Sequence, residues 1–161
     1  MTTHEPQGCL FGWLLALFQT GDSGKAAPDR LPYGKKDYFF SQTERSFYGV
    51  LAKAVSGEFV VFSKVRLADL IYVEKGSGAR QSHFNRIQSK HVDFVLCTPD
   101  KIQPVLMIEL DDSSHDRQAR RDRDAFVDEA LAAARLPILH VPAKQKYSPL
   151  ELKAAIEQQL R

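Results

Sequence analysis

The sequence predicts a mixed α/β domain, a four-stranded central sheet flanked by helices in the order α-β-β-β-α-β-α. Three observations lead there. Four short apolar runs, Phe59 to Phe62, His91 to Cys97, Pro104 to Leu110 and Ile138 to Val141, are rich in β-branched and aromatic residues and read as strands. Amphipathic segments with capping signals lie before, between and after them. Such interleaving implies a sheet carrying helices on its faces.

A chain of 161 residues suits one domain with a single core. Its composition, 43% hydrophobic and 26% charged, is that of a globular protein. A net charge of only +2 means that any nucleic-acid role must rest on local patches. Two cysteines, Cys9 and Cys97, are too few for a disulfide framework, so a reducing cytoplasmic setting is expected.

The first thirty residues stand apart. Cys9 to Phe18 is an apolar run of ten residues, whereas a bilayer-spanning helix needs roughly 20. It also lacks the features of a secretory signal, leaving a short helix packed on the domain, a peripheral membrane or partner contact, or a degenerate anchor. Gly21 to Arg30 has linker composition. The expected division is therefore 1–30, apolar segment and linker, and 31–161, the folded domain.

Within the domain, Ser41-Gln42-Thr43-Glu44 has the form of a capping box, and Phe47, Leu51 and Val55 recur every four residues behind it. These predict a helix from about Gln42 to about Gly57. The first strand follows at Phe59 and is expected to extend through Val65 and Leu67. Glu74 to Ser89 is polar and glycine-containing with no sustained period, and reads as a long mobile loop. The next two strands are joined through Thr98-Pro99-Asp100-Lys101, whose turn chemistry suits a β-hairpin. Arg120 to Leu136 is a charged helix with Phe126, Val127, Ala130, Leu131 and Ala134 on its apolar side. Pro137 ends it before the fourth strand. Ser148 caps a last helix with Pro149 at its first position, running to about Leu160.

The chemistry concentrates where the third strand ends, in Ile108-Glu109-Leu110-Asp111-Asp112-Ser113-Ser114-His115. If the hairpin folds about Lys101, Cys97 faces Val105, Val95 faces Met107 and Asp93 faces Glu109. Asp111 extends the same row, because residues two apart on a strand share a face. Opposed carboxylates repel, so a divalent cation, a basic side chain or a shared proton must compensate them. Magnesium suits such hard oxygen ligands, with water and phosphate completing its shell. A one-residue register slip would instead separate the acids onto opposite faces.

The segments "SQTERSFYGVL", "FVVFSKVRLADLI", "HVDFVLC", "VLMIELDDSSH", "RRDRDAFVDEAL" and "LPILHV", in that order, resemble a bacterial family of unknown function, DUF2726. That family is assigned to the PD-(D/E)XK, restriction endonuclease-like nuclease superfamily, near the branch of the very-short-patch repair endonuclease. The resemblance spans about Leu31 to Val141. It implies a nuclease fold in which Asp93 and Glu109 bind Mg²⁺ or Mn²⁺ with help from the Leu110 carbonyl. Glu44 matches a helical glutamate of the superfamily, although the capping box alone explains it equally well. One departure matters: Asp111 stands where the motif lysine is expected. His115 is the natural substitute, since a histidine near its ordinary pKa accepts a proton at neutral pH.

A basic segment, Lys75, Arg80, His83, Arg86 and Lys90 with Phe84 among them, would follow a nucleic-acid backbone, and Arg120, Arg121 and Arg123 would meet developing phosphorane charge. Solvated surface explains both groups as well. Asp112, Asp116 and Asp122 read as supporting acids or plain surface. The expectation is a magnesium-dependent nuclease-like domain acting on DNA, with catalytic residues Asp93, Glu109, Asp111 and His115. Its alternative is an inactive nuclease-fold module that binds nucleic acid or a protein partner. A zinc site from His83, His91, Cys97 and His115 is disfavoured by irregular spacing.

Overall fold

The computed structural model describes residues 31–111 and 117–161, with side chains from 125 onward in the second stretch. The chain divides into two units, Met1–Asp37 and Tyr38–Arg161, and the second carries the fold. Helix α1, Gln42–Ala54, begins as its capping box predicts: Ser41 Oγ accepts from the Glu44 N–H, and a Glu44 oxygen accepts from the Ser41 N–H. Gly57 follows the helix at φ +80°, a conformation open to glycine without a Cβ clash. The chain can therefore turn there and enter β1, Val60–Arg66.

Between β1 and β2 the predicted loop is largely helical. Ahead of it a single turn, α2 (Leu67–Leu70), ends β1 at Arg66, one residue short of the expected Leu67, and within it α3 spans Arg80–Gln88. Helix α3 lacks the usual signals: Ala79 precedes it in the left-handed region with no side-chain cap, and of its residues only Ile87 is buried. With one apolar anchor there is no period to read.

Strands β2 (His91–Cys97) and β3 (Pro104–Asp111) form the predicted hairpin, and β4 spans Ile138–Pro142. Phe94 pairs with Ile108, Val95 with Met107 and Leu96 with Leu106, the register expected from a turn about Lys101. Cys97, however, pairs with Pro104 and not Val105, through a bulge between Leu96 and Cys97. Pro104 has no N–H to give the ladder, which favours an irregularity there. The sheet order is β1-β2-β3-β4, with the first three antiparallel and β4 parallel to β3. The parallel step needs a crossover, supplied by α4, Arg117–Ala133. Helix α5, Pro149–Gln159, is capped by Ser148 and has proline in its first turn. The observed order is thus α-β-α-α-β-β-α-β-α.

Two apolar clusters cover the two faces of the sheet. One joins Phe47 and Leu51 of α1 and Leu152 and Ile156 of α5 to Phe94, Leu96, Leu106 and Ile108. The other joins Leu67, Ile87, and Val127 and Leu131 of α4 to Val92, Val95, Cys97 and Met107. Cys97 is therefore a core residue, and burial pushes its thiol pKa up, away from a metal-ligating thiolate. Among the described residues no helix is long and apolar enough to cross a membrane, and the run from Cys9 to Phe18 lies outside them.

A broken pleat at the centre of the candidate site

Strand side chains alternate faces, so residues two or four apart should meet the same cluster. In β1, Val61 packs on the α1–α5 cluster but Val65 on the opposite one. In β2, Phe94 and Val92 are divided in the same way. The alternation breaks in both strands at the same level, because Ser63 pairs with Phe94 and Val65 with Val92, setting Lys64 opposite Asp93. Lys64 marks the break with φ +54°, a left-handed conformation that costs a β-unconstrained lysine of order 1 kcal/mol or more.

On its other side, Asp93 meets β3. The β2–β3 register, continued one step past Phe94 and Ile108, sets Asp93 opposite Glu109. There the side chain takes over from the backbone, and Asp93 Oδ2 accepts the Leu110 N–H at 2.9 Å. That bond fixes the carboxylate at the end of the ladder and leaves Oδ1 without a partner among the described residues. Glu109 in turn pairs in register with His140 of β4. In backbone register one row across the sheet therefore reads Lys64, Asp93, Glu109, His140, with the Lys64 ammonium turned to α1 and the His140 ring to α4.

Both flanking bases are engaged. Lys64 Nζ donates to Glu44 Oε1 at 2.6 Å, while the second Glu44 oxygen serves the cap at 2.7 Å. Burial would raise the Glu44 pKa, but the Lys64 ammonium and the Ser41 donors outweigh it and hold the carboxyl below its ordinary value. Glu44 is thus a capping residue and a lysine partner at once. Its two oxygens are already used, so holding a cation as well would require it to release Lys64.

His140 clamps two acids. Its Nδ1 lies 3.1 Å from Asp111 Oδ1, and its Nε2 lies 3.0 Å from Asp128 Oδ1 of α4. Burial alone would push the imidazole pKa down, but the hydrogen bonds and charges of Asp111 and Asp128 outweigh it, and the net shift is upward. The position where a lysine was expected therefore holds an acid that recruits an imidazole from the next strand. An unfolded histidine titrates near 6.5. The clamp's contribution is full below that pH and is lost as pH rises through the higher folded value. With these side chains a third to a half exposed, screening reduces it to about 0.5 kcal/mol. Thermal melts from pH 6 to pH 9 are expected to show wild type losing about 1–2 °C relative to His140→Gln.

The other sequence-derived residues are distributed as follows. Arg86 packs its guanidinium 3.9 Å from the centre of the Phe126 ring, tying α3 to α4. Arg80 and Lys75 are exposed and Lys90 is half-buried. Arg120, Arg121, Arg123 and Asp122 lie on α4, with side chains outside the described set, and Asp112, His115 and Asp116 lie outside the described residues. The sequence reading missed Lys64, Asp128 and His140. His140 interrupts an apolar strand, and that was the available signal.

For a divalent cation, Asp93 and Glu109 present hard oxygen donors at one level of the sheet. Among the described residues no group of three or more His, Cys, Asp or Glu could hold a metal by itself. The pair fits magnesium in its usual mode, with one or two carboxylates and the remaining positions left to water and phosphate.

Fold and site together define a mixed α/β domain whose inner strands carry opposed acids at a break in the pleat. The chain belongs to the DUF2726 family, proteins of unknown function, whose model matches residues 36–160. No curated protein and no solved structure matches the chain.

Proposed function

We propose that this domain is a magnesium-dependent nuclease of the restriction endonuclease-like fold, hydrolysing phosphodiester bonds in DNA. The observation that carries the reading is the opposition of Asp93 and Glu109 at the break in the pleat, with Asp93 oriented by the Leu110 N–H. These two carboxylates, with the Leu110 carbonyl, would hold Mg²⁺ or Mn²⁺. The ion's contribution is to generate hydroxide near neutral pH and to polarise the phosphate.

The chain's own groups do the rest. Lys64 and His140 each neutralise a carboxylate beside the row, Lys64 that of Glu44 on the α1 side and His140 those of Asp111 and Asp128 on the α4 side, which lowers the negative charge a phosphate meets. His115 remains the proposed acceptor of the water proton, and Lys75, Arg80, Arg86, Lys90, Arg120 and Arg121 the proposed contacts to the nucleic-acid backbone. Arg86 would reach a phosphate only by leaving its place over Phe126.

A second reading, an inactive nuclease-fold module that binds nucleic acid or a protein, draws on a specific observation. Asp111 and Glu44 are each tied to a base of the protein itself, at 3.1 and 2.6 Å. Incubating the full chain with supercoiled plasmid and with circular single-stranded DNA, in Mg²⁺, Mn²⁺ or EDTA, separates the two. Nicking or linearisation that EDTA abolishes is the expected result. Intact DNA under every condition would leave the binding module.

A further inference from the structure

The residues before α1 carry a feature that the acidic row does not use. Tyr38 and Phe39 are 70% and 66% exposed, although large aromatics ordinarily bury most of their surface. They are not loose. The Phe39 ring lies 4.9 Å from Phe40, which lies 5.8 Å from the fully buried Phe94 and 5.3 Å from Tyr48. Phe94 in turn contacts Phe47 at 5.4 Å. A ladder of rings therefore runs from the core to an open outer end.

Cations attend both outer rings. The Arg45 guanidinium lies 5.5 Å from the Tyr38 ring centre, and Lys64 Nζ lies 5.8 Å from that of Phe39. Arg45 makes no ion pair among the described residues, whereas Lys64 is paired with Glu44 at 2.6 Å and would share its charge between that carboxylate and a phosphate. Lys64 is the residue set opposite Asp93 in the β1–β2 register, so Phe39 packs on the side chain of a residue whose backbone neighbours the acid. Exposed rings, each beside a basic side chain, match a chain that presents flat π-faces together with phosphates. That is the chemistry of an unpaired nucleic-acid strand. In a duplex the base faces are stacked on one another and cannot reach a surface ring.

We propose that Tyr38 and Phe39 are a stacking platform for unpaired bases, with Arg45 and Lys64 facing the adjoining phosphates. This rests on the nuclease reading in one respect, that it names single-stranded or frayed nucleic acid as the substrate of the neighbouring acids. The bases lie on the rings while the backbone passes Arg45 and Lys64.

The test is a fluorescence-anisotropy titration of the full chain with a labelled oligothymidylate and with a labelled duplex of equal length. EDTA is present throughout, so binding is read without cleavage. Wild type is expected to bind the single strand more tightly than the duplex. The double variant Tyr38→Ala, Phe39→Ala is expected to bind the single strand roughly tenfold or more weakly, with duplex affinity nearly unchanged. Both rings are exposed, so its thermal melt should match wild type. Phe39→Trp, placed in a Trp13→Phe background to remove the only native tryptophan, should keep affinity and show indole quenching as oligothymidylate stacks. Unchanged single-strand affinity in the double variant, no indole quenching in the Phe39→Trp variant, or equal losses on single strand and duplex would overturn the proposal. So would intact oligothymidylate binding with lost binding to phosphatidylserine-containing vesicles, which would assign the rings to a membrane. A chain that cleaves plasmid yet passes none of these tests keeps the nuclease reading and loses this one. A chain that binds as expected without cleaving does the reverse.

Discussion

Asp93→Asn is expected to lower metal-dependent DNA cleavage by about 10²–10⁴-fold, since the ion's contribution to the transition state is several kcal/mol. The fold should survive. An asparagine oxygen accepts the Leu110 N–H as the aspartate does at 2.9 Å, so the end of the β2–β3 ladder keeps its partner. Asp93→Ala differs on that point. It strips the acceptor from a half-buried N–H and adds a stability loss of about 1–3 kcal/mol to the loss of cleavage. Measuring rate and urea midpoint for both variants therefore separates the chemical role of the carboxylate from its structural one. Equal cleavage by wild type and Asp93→Asn would remove Asp93 from the site.

Phe94→Ala, one residue along, is expected to act through stability, costing about 3–5 kcal/mol. Phe94 is fully buried and its ring meets Phe40, Phe47 and Tyr48, at 5.8, 5.4 and 6.3 Å, so truncation opens a cavity where strand, helix and aromatic ladder join. Domains of this size are stable by only about 5–15 kcal/mol, which makes the loss visible as a large drop in the urea midpoint. Phe94→Leu retains most of the volume and is expected to cost about 1–1.5 kcal/mol. A similar midpoint for Phe94→Ala and wild type would mean that the core is not organised around this ring.

The hairpin register was legible because it is local: a turn signal between two apolar runs settles which residues face each other, and Phe94, Val95 and Leu96 meet Ile108, Met107 and Leu106 as expected. Helix α1 and helix α5 were legible for the same reason, since Ser41, Glu44, Ser148 and Pro149 are start signals readable within four residues. Helix α3 was not, because one buried isoleucine and an uncapped start leave no pattern. The charge partners of the acids were not either. His140 reaches Asp111 only through the parallel pairing of β4 with β3 across α4, and Lys64 comes opposite Asp93 only through the β1 register, its ammonium turned to Glu44. Spacing identified the acids; long-range pairing identified their bases.

The most direct measurement is a calorimetric titration of the full chain with MnCl₂, comparing wild type with Glu109→Gln and Asp93→Asn. Opposed carboxylates that share one ion should give a single saturable site in wild type, and either neutral variant should abolish it or weaken it at least about tenfold. Absence of saturable binding in wild type, or an isotherm unchanged by both substitutions, would contradict a divalent-cation site at Asp93 and Glu109.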